Sequence, residues 1–146
     1  MPTTILECEL AIRVRYAECD PMGYLHHAKY LEYFEMGRTE LLRANGIRYR
    51  DLEERGVLFV VVRVECKYRK PARYDDQLTL RTRVVRQTRA RIDHEYGLYR
   101  DGLLLCAAST TLACVDRAGQ VQAIPDEVMP PPRSSRLPAA GTGGDE

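Results

Sequence analysis

The chain has 146 residues and a formal net charge of +1, with 22 Lys and Arg against 21 Asp and Glu. This length is typical of one domain with a core of its own. The near-neutral charge argues against nucleic-acid binding, which is usually accompanied by a basic excess. The longest apolar runs, 57–62 and 103–108, have six residues each, whereas a membrane-spanning helix needs about 20. We therefore expect a globular domain that neither binds nucleic acid nor crosses a membrane.

The five cysteines are scattered and form no Cys-x-x-Cys pair, so the sequence does not support a zinc or thioredoxin-like site. Cys106 and Cys114 lie among apolar residues, where a free thiol packs as a small hydrophobic group. Residues 1–10 contain Glu7 and Glu9 and lack the basic and apolar regions of a signal peptide. These features predict a reduced, cytoplasmic protein that needs neither a metal nor a redox cofactor.

The composition changes near residue 129. Residues 129–146 contain four of the eight prolines, followed by several glycines. Such a segment cannot bury enough apolar surface to offset the entropy lost on ordering. We expect residues 1–128 to form a single domain and residues 129–146 to form a flexible C-terminal tail.

The first part of the domain has the pattern of a strand followed by a long helix. Residues 10–16 alternate between apolar and polar side chains, as in a half-buried strand, and turn-forming residues follow at 19–23. From about residue 26 to residue 45, apolar side chains recur at three- and four-residue spacing. These side chains are Tyr30, Leu31, Phe34, Leu41 and Leu42. Gly46 follows the helix, where a left-handed residue is favoured.

The rest of the domain has the pattern of consecutive strands. A short polar connection contains residues 51–55, and four strand-like segments follow at 57–68, 78–84, 92–98 and 103–116. Asp101 and Gly102 are typical of a tight hairpin between the last two strands. The order predicts an α+β fold, a five-stranded antiparallel sheet packed on one long helix. Because one helix covers only one face of such a sheet, we expect a homodimer or homotetramer.

The segment between the first strand and the helix carries the candidate chemistry. Asp20 leads through a Pro/Gly turn to a helix N-terminus, whose first amides lack internal partners and carry partial positive charge. Such amides can polarise a carbonyl oxygen that develops negative charge, as acyl transfer requires. An ionised Asp20 would then attack the acyl carbon or activate a water molecule, and His27 would orient the substrate or pass a proton.

The same residues also have simpler and more common roles. An Asp before a helix is usually a cap or turn residue, and His26 and His27 are more often partly buried polar groups than catalysts. Tyr16 is more often a packing residue of a strand. From the residue types alone, the catalytic interpretation and these structural interpretations both stay open.

Three motifs resemble those of the 4-hydroxybenzoyl-CoA thioesterase family. The first is Tyr-x-x-x-Asp-x-x-Gly-x-x-x-His-x-x-Tyr, with Tyr16, Asp20, Gly23, His27 and Tyr30 at its defined positions. The second is Phe34-Glu35-x-x-Arg38-Thr39-Glu40, and the third is Lys67-Tyr68-x-x-Pro71-Ala72-x-Tyr74-Asp75-Asp76. The resemblance covers about residues 8–125 and implies the hotdog fold, in which the sheet wraps around the central helix. One bacterial branch of this family includes acyl-CoA thioesterases associated with the Tol–Pal system.

The resemblance implies that Asp20 is the catalytic nucleophile or general base, with Tyr16 and His27 also in the active site. Amides near His27 would contact the oxyanion, and Gly23 and Tyr24 would bind the substrate. The Asp-Pro-x-Gly sequence at 20–23 resembles the members that act on aromatic acyl groups, but those members have an aromatic residue in place of His27. The preferred acyl group therefore stays open, as does the choice between coenzyme A and an acyl-carrier protein.

Three arginines, Arg86, Arg89 and Arg91, lie at the predicted tip of a hairpin. In the family, a basic hairpin at this place meets the phosphates of coenzyme A, and arginine pairs well with phosphate oxygens. The chain contains 19 Arg in total, so a solvated basic surface is an equal alternative. Rival candidates for the same role are Arg69, Lys70 and Arg73.

Other carboxylates have more ordinary explanations. Some hotdog thioesterases carry a catalytic glutamate on the central helix, where this chain has Glu32, Glu35 and Glu40. We expect the last two to form ion pairs at helical spacing with Arg38 or Arg43. Asp75 and Asp76 are expected to begin the next strand.

The leading hypothesis is an acyl-CoA thioesterase that releases a carboxylic acid and free coenzyme A without a metal or redox cofactor. A hotdog dehydratase or hydratase is a weaker alternative, because its own His and acidic motifs are not found. A thioester-binding module without catalysis is the other alternative. Against it, binding alone does not require Tyr16, Asp20 and His27 together.

Overall fold

The computed structural model of the protein describes residues 4–128. Five antiparallel strands form one sheet in the order β1-β3-β4-β5-β2. The strands and helices are β1 (Glu7–Arg13), α1 (Lys29–Ala44), α2 (Tyr49–Glu54), β2 (Leu58–Tyr68), β3 (Gln77–Gln87), β4 (Arg91–Arg100) and β5 (Leu103–Val115). The predicted α+β hotdog arrangement is therefore confirmed. The predicted tail, residues 129–146, lies outside the described residues.

The strands form where buried and outward-facing residues alternate, and turn-forming residues connect them. On β3, Leu78, Leu80 and Thr82 are buried, and the residues between them face outward. The hairpin between β4 and β5 turns at Asp101 and Gly102, whose φ angles are 49° and 81°. A two-residue turn with both φ angles positive matches the right-handed twist of the strands. The sequence prediction of this hairpin is confirmed.

Helix α1 packs against β1 and β3 through one face. Its buried residues are Tyr30, Tyr33, Phe34, Gly37 and Leu41. Of the residues that the spacing placed on one face, Leu31 is 41% exposed and Leu42 is only half-buried. Gly37 is where the helix comes closest to the sheet: a Cβ atom there would lie 2.2 Å from the Thr82 hydroxyl.

The end of β1 and the start of α1 differ from the sequence expectation. β1 ends at Arg13, and a single 3₁₀ turn occupies Tyr16–Glu18, so Tyr16 is not a strand residue. α1 begins at Lys29 instead of residue 26, because residues 26–28 form a turn in which the Ala28 amide donates to His26 Nδ1 at 3.1 Å.

The polar connection after α1 contains the short helix α2, which the sequence interpretation missed. Leu52 of α2 is buried, and the hydroxyl of Tyr49 accepts a hydrogen bond from the Phe59 amide at 3.0 Å. A six-residue helix has too few turns to show a clear 3.6-residue period. Within residues 4–128, no helix is long and apolar enough to cross a membrane.

The strand register gives the sheet two distinct ends. At one end, Arg13 pairs with Gln77 and Tyr68 pairs with Cys106; we call this the loop end. At the other end, Leu58 pairs with Val115 and the β3–β4 hairpin turns; we call this the hairpin end. Every strand pair is antiparallel, so each strand runs from one end to the other.

Strand β2 is an edge of the sheet and exposes apolar side chains. Five of these side chains are at least two-fifths exposed to solvent: Val60, Val61, Val62, Val64 and Tyr68. An exposed, apolar edge strand is a template for pairing with another chain.

The close contact at Gly37 predicts that replacing this glycine by alanine destabilises the protein, which is the reverse of the usual effect in a helix. In an exposed helix, replacing glycine by alanine stabilises by about 1 kcal/mol. Here we expect Gly37→Ala to lower the free energy of unfolding by about 1–3 kcal/mol, because overpacking forces the helix and the short Thr82 side chain apart. Urea denaturation measures the change.

The matched control is Met36→Ala on the exposed face of the same helix, which should change stability by less than about 0.5 kcal/mol. The double variant Gly37→Ala/Thr82→Ala should recover part of the loss. A Gly37→Ala protein more stable than the wild type would contradict the interpretation.

Candidate active site

The connection between β1 and α1 is held at the loop end by backbone hydrogen bonds. The Leu25 amide donates to the Ala72 carbonyl at 2.8 Å, and the His26 amide donates to the Glu18 carbonyl at 2.9 Å. These bonds fix residues 14–28 against the connection between β2 and β3. The first and third motifs of the sequence therefore meet in space.

Asp20 is half-buried and closes a tight turn. Its Oδ1 accepts hydrogen bonds from the amides of Met22 at 2.9 Å and Tyr24 at 3.1 Å. Gly23 has a φ angle of 81°, which glycine adopts at little cost. The turn role considered for Asp20 is thus present. Its second oxygen, Oδ2, accepts no hydrogen bond from the described residues, so one oxygen is fixed and the other is free.

His27 lies just before α1, so its predicted place within the first helical turn is wrong. The residue is exposed, and its ring stacks on that of His26 with centroids 4.3 Å apart. Its carbonyl accepts a hydrogen bond from the Tyr68 hydroxyl at 2.9 Å. Its amide has no acceptor within residues 4–128. This amide and the following helix N-terminus form a donor region in the loop that carries the Asp20 turn, and within it the Ala28 and Lys29 amides donate to His26.

Two further predicted residues lie in the same region. Tyr16 is 79% exposed, and its ring meets that of Tyr74 edge to face at 5.5 Å. The Arg73 guanidinium lies 4.7 Å from the ring centre of Tyr24. The loop end thus brings together all five residues predicted for it: Tyr16, Asp20, Gly23, Tyr24 and His27.

Glu18 positions this loop, and the sequence interpretation missed it. The side chain is only 6% exposed. Its Oε1 accepts hydrogen bonds from the Arg15 amide at 2.9 Å and the Tyr33 hydroxyl at 2.7 Å, and its Oε2 accepts from the Arg15 guanidinium. Glu18 accepts from the Arg15 amide as the acid of a capping box does, but Arg15 stands where that motif has Ser or Thr, so no sequence motif marks Glu18.

The protonation states of Glu18 and Tyr33 are linked. Burial opposes ionisation of Glu18, but hydrogen bonds from Arg15 and Tyr33 outweigh burial and lower the pKa of its carboxyl. Burial and the hydrogen bond to Glu18 raise the pKa of the Tyr33 hydroxyl. An ionised acid and a neutral phenol therefore join the loop to α1. With both oxygens occupied, Glu18 serves as an anchor.

The three predicted hairpin arginines lie away from this site within one chain. Arg86 and Arg91 are exposed at the hairpin end, and Arg89 forms an ion pair with Asp126 at 3.0 Å. β3 joins the two ends and has 11 residues, so they are about 30 Å apart at the usual rise per residue. One protomer does not bring these arginines to Asp20.

The helical glutamates lie outside the site. Glu32 pairs with Lys29, and Glu40 pairs with Arg43 at 2.6 Å as expected. The expected pairing of Glu35 with Arg38 is wrong, because Arg38 turns inward and donates to the Tyr96 hydroxyl.

The two aspartates of the third motif fix the β2–β3 connection. Asp75 has a φ of 70° in the turn before β3. Asp76 Oδ2 accepts hydrogen bonds from the Arg73 amide and the Arg100 guanidinium. Within residues 4–128, no three His, Cys, Asp or Glu side chains are placed to hold a metal ion.

Comparison with known proteins identifies the class to which this fold and site belong. The family described as the thioesterase-like superfamily matches residues 14–131. The chain therefore belongs to the thioesterase-like superfamily, and the protein is a thioester hydrolase.

Individual relatives agree with this assignment. The acyl-CoA thioesterase YbgC of Haemophilus influenzae is 40% identical over 106 residues, which cover 72% of this chain and 78% of that protein. The acyl-CoA thioester hydrolase YbgC of Escherichia coli O6:H1 is 31% identical over 106 residues, covering 72% and 79%. The crystal structure of DHNA-CoA thioesterase from Staphylococcus aureus superposes with a TM-score of 0.80 at 27% identity, covering 86% of this chain and 85% of that one.

The Glu18 anchor predicts a stability change that depends on pH. Near neutral pH, Glu18→Gln should lower the free energy of unfolding by about 1.5–3 kcal/mol, the usual range for hydrogen bonds to a charged group. Because the pKa of Glu18 is lowered on folding, its charge stabilises the protein above the ordinary glutamate value of 4.5. That stabilisation is lost as the pH falls through the lower folded pKa, so the variant and wild type should converge in acid.

Urea denaturation across this pH range measures both effects. The control is Glu32→Gln, which removes an exposed helical carboxylate paired with Lys29 and should change stability by less than about 1 kcal/mol. A Glu18→Gln deficit that persists unchanged in acid would show that the charge of Glu18 is not the source.

Proposed function

We propose that the protein hydrolyses acyl-CoA thioesters and that Asp20 is its catalytic carboxylate. The observation that carries this proposal is the geometry of the Asp20 turn. Two backbone amides fix Oδ1 while Oδ2 has no partner among the described residues, and the unpaired His27 amide lies in the same loop. The relatives named as acyl-CoA thioesterases support the substrate class.

Two routes are consistent with a fixed carboxylate. As a general base, Asp20 Oδ2 would take a proton from water while the water oxygen attacks the thioester carbon. The C–S bond then breaks, the thiolate of coenzyme A takes up a proton, and a carboxylic acid is released. As a nucleophile, Oδ2 would form an anhydride with the acyl group and expel the same thiol, and water would then hydrolyse the anhydride.

The donor region would stabilise the charge that develops during either route. In the tetrahedral intermediate the carbonyl oxygen becomes an oxyanion, which preorganised amides stabilise strongly. The His27 amide and the N-terminal turn of α1 would supply these donors. The exposed His27 ring and Tyr16 would orient the substrate or shuttle protons, and Gly23 and Tyr24 would shape the wall beside the thioester.

A dimer formed through β2 would complete the binding site. Antiparallel pairing of two β2 edges about a two-fold axis places the loop end of one subunit beside the hairpin end of the other. Arg86 and Arg91 of one subunit would then reach the phosphates of coenzyme A bound near Asp20 of the other. This arrangement explains why arginines that the sequence grouped with Asp20 are distant from it within one chain.

Within the superfamily, we place the chain in the 4-hydroxybenzoyl-CoA and Tol–Pal-associated group. The first motif, with Asp20 and His27 at the loop end, supports this narrower assignment. A coenzyme A ester as substrate fits the cytoplasmic location that the scattered cysteines predict. An acyl-carrier protein is the alternative thiol carrier.

Replacement of the catalytic carboxylate tests the proposal. Asp20→Asn should reduce turnover of acyl-CoA at least about a hundredfold, as removal of an essential acid–base group usually does, because the amide can neither take a proton nor attack. Loss of thioester ultraviolet absorbance measures turnover on short, long and aromatic acyl-CoAs. This readout avoids thiol-reactive dyes, which the five cysteines would consume.

The matched control is Asp75→Asn, an exposed carboxylate in the neighbouring connection at a left-handed position that asparagine also adopts. It should retain turnover near that of the wild type. Undiminished turnover in Asp20→Asn would assign catalysis to another carboxylate, with Glu32, Glu35 and Glu40 to be tested next. A wild-type protein that binds acyl thioesters on coenzyme A and on carrier protein but hydrolyses neither would be a binding module.

The β2 dimer gives a second prediction. Val62→Lys places a charge on the exposed edge strand, where Val62 is 56% exposed. The variant should sediment as a monomer and lose most acyl-CoA turnover, because neither site then receives the partner's hairpin. Val121→Lys is the control, since Val121 is 76% exposed and pairs with β5 on the side opposite to β2. A monomeric Val62→Lys protein with full turnover would show that one chain contains the complete site.

A further inference from the structure

A cavity lies away from the Asp20 turn. The C-terminal half of α1, helix α2 and the sheet enclose about 370 Å³, within the usual range for small-molecule sites. Its apolar lining includes Leu41, Leu42, Ile47, Tyr49, Phe59 and Ile92. None of the five predicted loop-end residues lines it. The cavity is therefore separate from the candidate active site of the same chain.

Arg38 brings a positive charge to this apolar space. It is half-buried and lines the cavity, and one of its N–H groups donates to the Tyr96 hydroxyl at 3.0 Å. Among residues 4–128, no carboxylate lies within 4.0 Å of its guanidinium, although Glu35 lies one turn away on the same helix. A guanidinium has five N–H donors, so most of the hydrogen-bonding capacity of Arg38 is unused.

His94 supplies a second polar group to the same cavity. It is 5% exposed, and its buried Nδ1 has no hydrogen-bond partner among the described residues. Burial, and then the nearby Arg38 charge, lower the pKa of His94 to about 3. The ring is therefore neutral near neutral pH and adds hydrogen-bonding capacity without charge. A buried polar atom without a hydrogen-bond partner costs free energy.

The remaining charged groups at the cavity leave Arg38 as the dominant one. Glu127 contributes to the lining, but both of its oxygens accept hydrogen bonds from Arg55 at 2.8 and 2.9 Å. Glu35 is exposed at the rim. Residues 4–6 form part of the wall, held by Asn45, whose side chain bonds both the amide and the carbonyl of Ile5 at 2.8 Å. The cavity thus combines apolar walls with one unpaired cation.

We infer that this cavity binds an amphipathic carboxylic acid, with its carboxylate on Arg38 and its apolar body along α1 and α2. The planar guanidinium matches a carboxylate through two parallel hydrogen bonds, and His94 contributes a further hydrogen bond. The inference does not depend on the proposed function. Together with it, the cavity becomes a second site for the class of product that hydrolysis releases.

Calorimetric titration of the full chain with octanoate tests the inference. Octanoate should bind once per chain, and octanamide, which has the same apolar body without the charge, should bind at least about tenfold more weakly. Arg38→Met should weaken octanoate binding by a similar factor. Arg43→Met is the matched control, because Arg43 lies on the outer face of α1 and pairs with Glu40; it should bind octanoate like the wild type.

A second variant removes the space and keeps the charge. Leu42→Trp should fill part of the cavity and weaken octanoate binding at least about tenfold while Arg38 stays in place, which covers the case in which Arg38→Met fails to fold. Asp20→Asn should bind octanoate normally, whatever its turnover. The inference is overturned by equal binding of octanoate and octanamide, by no octanoate binding, or by binding that depends on Asp20 and not on Arg38 and Leu42.

Discussion

The hydrogen bond between the buried Glu18 carboxylate and the Tyr33 hydroxyl, 2.7 Å long, is the constraint on which the candidate active site depends. It joins a loop to the helix packed on the sheet. Arg15 neutralises the charge and supplies the remaining donors, so the anchor costs little despite its burial. Because the loop is held at Glu18, the turn that follows can fix one oxygen of Asp20 and leave the other available.

Most of the fold follows from local patterns in the sequence. The helical period identifies Tyr30, Phe34 and Leu41 as core residues, and alternation identifies the strands. The same patterns misplace residues whose environment is set by distant parts of the chain. Tyr33 is buried because a loop carboxylate accepts a hydrogen bond from its hydroxyl, and Arg38 turns inward because Tyr96, 58 residues further along the chain, accepts a hydrogen bond from it. No local spacing encodes either partner.

The candidate site shows the same division between local and distant information. The loop-end residues follow one another in the chain, so a sequence motif can identify them. The relation of Asp20 to the arginines of the β3–β4 hairpin depends on strand direction and on pairing between subunits, and residue types alone specify neither. For the same reason, a cavity formed by α1, α2 and four separate strands has no signature in the sequence, which predicts its key cation only as a member of an ion pair.

The close approach at Gly37 fixes the middle of α1 against the sheet. On its N-terminal side the helix contacts the loop of the candidate active site, and on its C-terminal side it lines the cavity. Side chains of α1 on the C-terminal side of Gly37 can therefore be replaced by larger or smaller ones. Such replacements would change which ligands the cavity accepts without moving the Asp20 turn. A larger residue at Gly37 itself would tilt the helix and disturb both of its ends at once. Chemistry and ligand preference can thus diverge separately as long as this one position stays without a side chain.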